Sequence, residues 1–159
     1  MARISPLAVA GVALIGGLWL AERARPLRRQ THDTTTRQVR NIAMGAGTML
    51  VVTAIEMPLL TRLAKNNRHG RVQAIRLPRP LQIVLGVAAM DYAYYWWHIA
   101  THKVPFLWRF HRVHHIDPDM DMTTALRFHA VDMLVSLPFR VAQVLLTGAD
   151  PTILTAHRR

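Results

Sequence analysis

The sequence predicts an all-α protein, a membrane helix bundle of three to four apolar helices with a histidine-rich cytosolic cap. Hydrophobic residues make up 51% of the 159 residues, although the formal charge is +11. The mean hydropathy of +0.13 is high for so basic a chain. Apolar stretches close to the roughly 20 residues that cross a bilayer alternate with basic segments. Two histidine clusters directly follow one of these stretches.

Four apolar stretches define the predicted helices. Residues 4–21 are read as an uncleaved anchor, because only Arg3 precedes them and no small-residue cleavage pattern follows. Residues 42–60 and 81–100 each have a length that suits a membrane helix. In the first of these two, Gly45 and Gly47 are expected to permit close helix packing. Residues 130–146 form the weakest stretch because charged residues and a proline interrupt it, so it is expected to be interfacial or re-entrant.

Basic residues indicate contact with membrane surfaces. Eighteen of the twenty are arginines. Two runs contain most of them: Arg23, Arg25, Arg28, Arg29, Arg37 and Arg40, then Arg62, Lys65, Arg68, Arg71, Arg76 and Arg79. Neither run alternates with stacking aromatics, which argues against nucleic acid and favours anionic lipid headgroups. If residues 81–100 enter the membrane and return, both runs and the histidines share the cytosolic face.

Histidine spacing predicts a metal site. His98 and His102 are four residues apart, so a helix places both imidazoles on one face. His111, His114 and His115 repeat this pattern at i, i+3 and i+4. The chain has no cysteine, so a metal must be held by histidines and carboxylates. Five rings exceed the three or four that one zinc ion takes, which favours two ions.

Three further residues are candidates for the same site. Asp91 and Tyr95 continue the helix face of His98 and His102. Asp91 is expected either to serve the metal, as a ligand or as the acceptor of an imidazole N–H, or to bond Tyr95 or an arginine. His129 is expected to be a ligand, a second-shell donor or a structural residue.

The segments between the candidate ligands contain a helix end and an acidic turn. Pro105 disfavours helical backbone at Val104, so the helix with the first two histidines should end there. The acidic turn, Asp117 to Asp121, precedes Thr123, and Asp121 and Thr123 are expected to cap the next helical segment.

Three stretches of this region resemble the fatty acid hydroxylase superfamily, which includes sterol desaturases, sterol methyl oxidases and alkylglycerol monooxygenase. They are Asp-x-x-x-Tyr-x-x-His-x-x-x-His at residues 91–102, Trp-Arg-Phe-His-Arg-Val-His-His at 108–115, and Thr-Ala-Leu-Arg-Phe-His at 124–129. The resemblance implies one partial family domain over residues 1–159, with its histidine boxes in residues 91–129. It also implies a di-iron centre on the cytosolic side of a membrane, which uses O₂ and an electron donor to oxidise a C–H bond of a lipid. By position, the first two family histidine boxes correspond to His98, His102, His111, His114 and His115.

The family pattern also includes a third histidine cluster, which this sequence lacks. We therefore expect a chain truncated before that cluster, and three interpretations stay open. The chain is an active iron-dependent lipid hydroxylase or desaturase, one part of a split enzyme completed by a second polypeptide, or a non-catalytic metal-binding remnant. A zinc hydrolase is disfavoured, because Glu22 and Glu56 are the only glutamates and neither lies near the histidines in sequence.

Overall fold

The computed structural model describes residues 5–26, 28–67 and 71–158. Every regular element in these residues is a helix. The predicted all-α class is therefore confirmed. The α-helices are α1 (Pro6–Ala24), α2 (Thr34–Val51), α3 (Met57–Asn66), α4 (Arg71–Ala74), α5 (Arg79–Lys103), α6 (Pro105–His111), α7 (Ala130–Thr147) and α8 (Pro151–His157). A π-helical segment, Val52–Glu56, joins α2 to α3, and 3-10 turns occupy Arg112–His115 and Met122–Leu126.

Two helices in the described parts of the chain are long and apolar enough to cross a membrane. One is the continuous helix Thr34–Asn66, formed by α2, the π segment and α3, which contains the predicted stretch 42–60. The other is α7, so the stretch expected to be weakest is a full helix despite Pro138 inside it. Helix α5 is not one of the two, because Asp91 and the histidines reduce its hydropathy.

Helix α5 connects the two ends of the bundle. It is unbroken from Arg79 to Lys103, so the expected entry and return of residues 81–100 is wrong. Proline occurs only near its first residue, and nothing later in its sequence interrupts the hydrogen-bond ladder. At one end, called the far end here, Arg79 pairs with Asp150 and the Asn67 amide donates to the Val144 carbonyl. The histidines of α5 lie at the other end.

The two basic runs therefore belong to opposite ends of the bundle. Arg37 of the first run binds the acidic turn at the histidine end, and Arg79 of the second run is at the far end. Arg68 lies outside the described residues, as do Arg3 and Ile4 at the start of the predicted anchor. The orientation of the bundle in a membrane, with the histidines on the cytosolic side, therefore stays a prediction.

Close packing of α5 on α8 forms the core of the bundle. Met90, Val144 and Ile153 are almost completely buried. A Cβ on Gly86 would lie 2.7 Å from the Ile153 side chain, so only glycine permits this approach. A Cβ on Gly45 would lie 2.9 Å from the Leu126 side chain, so Gly45 permits the predicted close packing. A Cβ on Gly47 would have nothing within 4 Å, so the packing prediction is wrong there.

Helix α1 is attached to the histidine end through its last turns. The Met122 backbone N–H donates to the Glu22 carboxylate at 2.9 Å. Along the helix, apolar side chains such as Val12 and Leu14 are exposed. Such a surface suits the predicted anchor, which stays a prediction.

Candidate metal centre

Helix α5 supplies the first pair of histidines at its C-terminal end. The Nε2 atoms of His98 and His102 are 3.3 Å apart. The helix ends at Lys103 with Val104 as its extended C-cap, which confirms the effect predicted for Pro105. The chain then turns directly into α6.

Helix α6 and the 3-10 turn after it bring the second pair to the first. The Nε2 atoms of His111 and His115 are also 3.3 Å apart. The ring of His111 lies 5.0 Å from those of both His98 and His102, and the His102 and His115 rings are 4.8 Å apart. Four of the six predicted ligands therefore converge from two segments of the chain.

The spacing of these nitrogens fits a metal ion. The ligand atoms of His98, His102 and His111 all lie within 4.8 Å of one another. Two nitrogens bound about 2.0–2.1 Å from one tetrahedral ion are separated by about 3.3–3.4 Å. Both Nε2 pairs have this separation. The side chains are thus placed to share an ion without rearranging the backbone.

His114 lies beside this group of four. Its ring is 5.1 Å from that of His115 and 6.1 Å from that of His111, and it stacks on Phe128 at 4.3 Å. Burial and the neighbouring His111 lower the pKa of both His114 and His115. Metal ligation requires the neutral imidazole, so this environment favours the ligating form.

Asp132, in the first turn of α7, is the carboxylate that contacts the histidines. Its Oδ2 lies 3.3 Å from His111 Nδ1, and both side chains are buried. The Nδ1 of His111 is placed to donate to this carboxylate, while Nε2 faces the cluster. Such carboxylate–histidine pairs orient metal ligands and raise their basicity. Sequence reasoning missed Asp132, although a carboxylate in an apolar helix was the available signal.

Three other candidates lie apart from the cluster. Asp91 is exposed and faces His157 Nε2 at 3.2 Å, while the exposed Tyr95 ring contacts Trp96. His129 is the N-cap of α7 and accepts a hydrogen bond from the Val131 N–H. Among the described residues, no ring contact joins His129 to the other five histidines. Their roles at the metal centre stay predictions.

Aromatic rings border the cluster. Trp108 lies 5.2 Å from His102 and 5.7 Å from His115, measured between ring centroids. Tyr94, one turn before His98 on α5, stacks on the His98 ring at 6.3 Å. These contacts restrict the rotation of the ligand rings and cover part of the site.

The acidic turn fixes the segment that follows the second pair of histidines. Asp117 accepts hydrogen bonds from Arg37, Asn41 and Thr124. Asp121 caps Met122–Leu126 in a capping box, which confirms the predicted capping by Asp121, although Thr124 rather than Thr123 is its reciprocal partner. These bonds attach the turn to α2.

Asp119 attaches the same turn to the segment between α1 and α2. It accepts hydrogen bonds from the Thr31 hydroxyl and from the backbone N–H groups of Thr31 and His32. The Thr31 hydroxyl, with these N–H groups, lowers the pKa of Asp119 to about 2. The carboxylate is therefore ionised and occupied at neutral pH.

Fold and site together define an all-helical protein with a histidine cluster that could hold a metal ion at one end of an apolar helix bundle. The family model described as Fatty acid hydroxylase matches residues 83–157, which include the five clustered histidines, His129 and Asp132. The region that carries the histidine cluster, just under half of the chain, is therefore similar to fatty acid hydroxylases.

Several lipid-modifying enzymes are similar to the same chain. Ornithine lipid hydroxylase OlsE of Rhizobium tropici is 28% identical over 120 residues, covering 74% of this chain and 34% of that protein. Alkylglycerol monooxygenase of Homo sapiens is 36% identical over 68 residues, 43% of this chain and 15% of that protein. The Xenopus tropicalis enzyme is 45% identical over 38 residues, 24% and 8% of the two chains. The chain thus spans about a third of the length of the first relative and less of the others. No solved structure matches.

Proposed function

We propose that this chain forms the iron-binding part of a membrane enzyme that uses O₂ to hydroxylate or desaturate a fatty acyl, sterol or ether-lipid chain. The convergence of four imidazoles at the end of an apolar helix bundle carries the proposal. Lipid hydroxylation by OlsE and monooxygenation by the alkylglycerol enzymes, as their names state, support the substrate class.

The proposed ligands are the six predicted histidines: His98, His102, His111, His114, His115 and His129. When bound, iron would pass electrons from the donor to O₂, and this reduction of O₂ is required to oxidise a C–H bond. The chain's own residues hold the imidazoles in place. Asp132 selects the tautomer of His111, and Trp108 packs beside His102 and His115. The acidic turn holds the backbone after His115 against α2.

We further propose that the centre holds two irons and takes ligands from additional histidines. Two ions need more nitrogens than the six histidines provide. His102 and His115 are exposed, so the cluster is open to another segment on that side. A second polypeptide with a histidine cluster is our proposed source. An electron donor would approach from the same side, which we assign to the cytosol.

An alternative is a membrane protein that binds metal without catalysis. The two functions differ in metal content and in turnover. Two irons per chain, with product formation after addition of a third histidine cluster, support the enzyme. Metal well below one ion per chain supports the alternative.

The test starts from the chain purified in detergent and reconstituted with Fe(II). We expect bound iron in the wild type and a marked loss in His98→Ala. His32→Gln is the matched control, because His32 is exposed and outside the cluster. Oxygen consumption and lipid products are then measured with an electron donor, for the chain alone and together with a polypeptide that carries a third cluster. Equal iron content in the wild type and His98→Ala would contradict the proposed site.

A further inference from the structure

A second charged cluster lies in the bundle, away from the histidines. Glu56 is 3% exposed and is the last residue of the π-helical segment inside the long apolar helix. Its Oε1 lies 3.3 Å from Arg140 Nη1 and 3.6 Å from Arg158 Nη2. Arg140 is eight residues beyond Asp132 in α7, a rise of about 12 Å along the helix axis. The cluster is therefore separate from the metal centre.

The charges of this cluster do not balance. Two guanidinium groups share one carboxylate oxygen, so Glu56 alone leaves one excess positive charge, and the exposed Asp91 carboxylate pairs with the neighbouring His157. Among the described residues, the donors Arg140 Nε and Arg158 Nη2 and the acceptor Glu56 Oε2 are buried without a hydrogen-bond partner. An unpaired charge and unsatisfied donors are costly in an apolar interior. Ionisable groups at membrane depth and π-helical segments both occur frequently at functional sites.

A groove leads from Arg158 to the surface between α3 and α8. A cavity of about 200 Å³ is lined by Met57, Thr61, Pro151, Leu154, Thr155 and Arg158. Met57 and Thr61 also line an adjoining open cavity with Arg62 and Lys65. No carboxylate lines either cavity in the described part of the chain. The groove thus has three positive side chains, threonine hydroxyls and apolar walls.

We propose that this groove, with Arg158 at its base and Arg62 and Lys65 at its rim, binds a phosphate anion. Phosphate is the group that anionic phospholipid headgroups share with free phosphate. Charge-assisted hydrogen bonds from guanidinium groups suit its oxygens, and the bound anion offsets the excess charge beside Glu56. The apolar walls suit the glycerol and first carbons of a lipid. The site lies towards the far end of the bundle and does not depend on the proposed oxidation.

Binding is measured on the full chain by native mass spectrometry after release from nanodiscs of phosphatidylglycerol or phosphatidylcholine. Inorganic phosphate is titrated separately onto the detergent-solubilised protein. We expect retention of phosphatidylglycerol over phosphatidylcholine, whose ammonium group opposes the basic groove. Phosphate binding that depends on Arg158 would assign the site to free phosphate, and lipid binding alone would assign it to the headgroup. Either result supports the proposal.

Variants test the assigned residues. Arg158→Gln should weaken binding about five-fold, the effect of one basic residue near an anionic surface. The rim variant Arg62→Gln should also weaken it and, being exposed, should not disturb folding. Glu56→Gln removes the competing carboxylate and should strengthen binding, an increase that simple damage to the fold would not produce. Arg109→Gln, exposed at the histidine end, is the control for loss of charge.

Two results would overturn the proposal. In the first, neither phosphatidylglycerol nor inorganic phosphate binds more strongly than phosphatidylcholine. In the second, binding is equal in the wild type, Arg158→Gln and Arg62→Gln.

Discussion

The histidine segment and the acidic turn are neighbours in the chain but use their polar groups differently. Asp117, Asp119 and Asp121 each accept at least three hydrogen bonds from the protein. In the histidine segment, nitrogens face other histidine nitrogens at 3.3 Å. The carboxylates are largely occupied by the fold, although Asp117 Oδ1 is buried without a hydrogen-bond partner, whereas the imidazoles are directed at one another. The turn is therefore structural and the histidines are the candidate ligands.

This comparison also explains why nearness in sequence does not identify the carboxylate that serves the cluster. Asp117 lies two residues after His115, yet it bonds α2 through Arg37 and Asn41. Asp132 lies 21 residues after His111 and contacts its ring. The contact depends on how α7 packs against α6. The sequence therefore shows a carboxylate in an apolar helix but not which histidine it contacts.

The largest effect is expected from breaking the acidic turn. Arg37 is 4% exposed and pairs with both Asp117 and Asp121. Arg37→Met leaves buried carboxylates without a counterion and should cost about 3–5 kcal/mol of unfolding free energy. Thermal or denaturant unfolding in detergent measures this. Arg40→Met, exposed on the same helix, should have little effect. A similar loss in both variants would contradict a structural role specific to the turn.

Removing a clustered imidazole should impair metal binding while leaving the turn intact. His111→Ala should lower iron affinity by more than about 100-fold, since loss of a supporting residue alone costs about 10–100-fold. Equilibrium dialysis with Fe(II) provides the affinity. His129→Ala tests the sixth proposed ligand, which caps α7 and makes no ring contact with the cluster among the described residues. If His129→Ala reduces affinity equally, His129 is a ligand as the sequence suggested.

A smaller effect is expected at the carboxylate beside the ligands. Asp132→Asn keeps the size of the side chain but removes its charge, so iron affinity should fall by about 10–100-fold. Asp91→Asn is the matched variant and should leave affinity unchanged, because Asp91 faces His157. Asp132→Glu should restore part of the loss. The opposite ranking of the two asparagine variants would show that Asp91 serves the metal centre.

The sequence predicted the parts of the site that depend on local geometry. Spacing of four residues brings His98 and His102 together on α5, and Pro105 ends that helix where expected. The same spacing brings His111 and His115 together across α6 and the 3-10 turn. Helix periodicity also placed Asp91 on the face of His98. Seven residues rise about 10.5 Å, however, so a shared face does not produce contact.

The membrane segments show a related limit. Hydropathy predicted the apolar stretches but ranked residues 130–146 last because of Asp132, Pro138 and Arg140. In the structure each charged residue has a partner, His111 for Asp132 and Glu56 for Arg140. Charges that are costly in an isolated helix are partly compensated by tertiary partners, which composition alone does not reveal.

The smallest expected effect is the acid sensitivity of the turn, and Asp119 provides its test. Its pKa is about 2 in the folded chain, against an ordinary value of 3.8. A lowered pKa means that Asp119 stabilises the fold above about pH 4 and that this contribution is lost as the pH falls through 2.

The melting temperature of the metal-free protein is compared with that of Asp119→Asn at pH 6 and at pH 2. The variant should melt lower at pH 6 and by a smaller margin at pH 2, because about half of the wild-type carboxylate is then protonated. Thr31→Val removes the strongest hydrogen bond to Asp119 and should move the acid transition to higher pH. An equal difference between the wild type and Asp119→Asn at both pH values would contradict an ionised Asp119 as the group that holds the turn to residues 31 and 32.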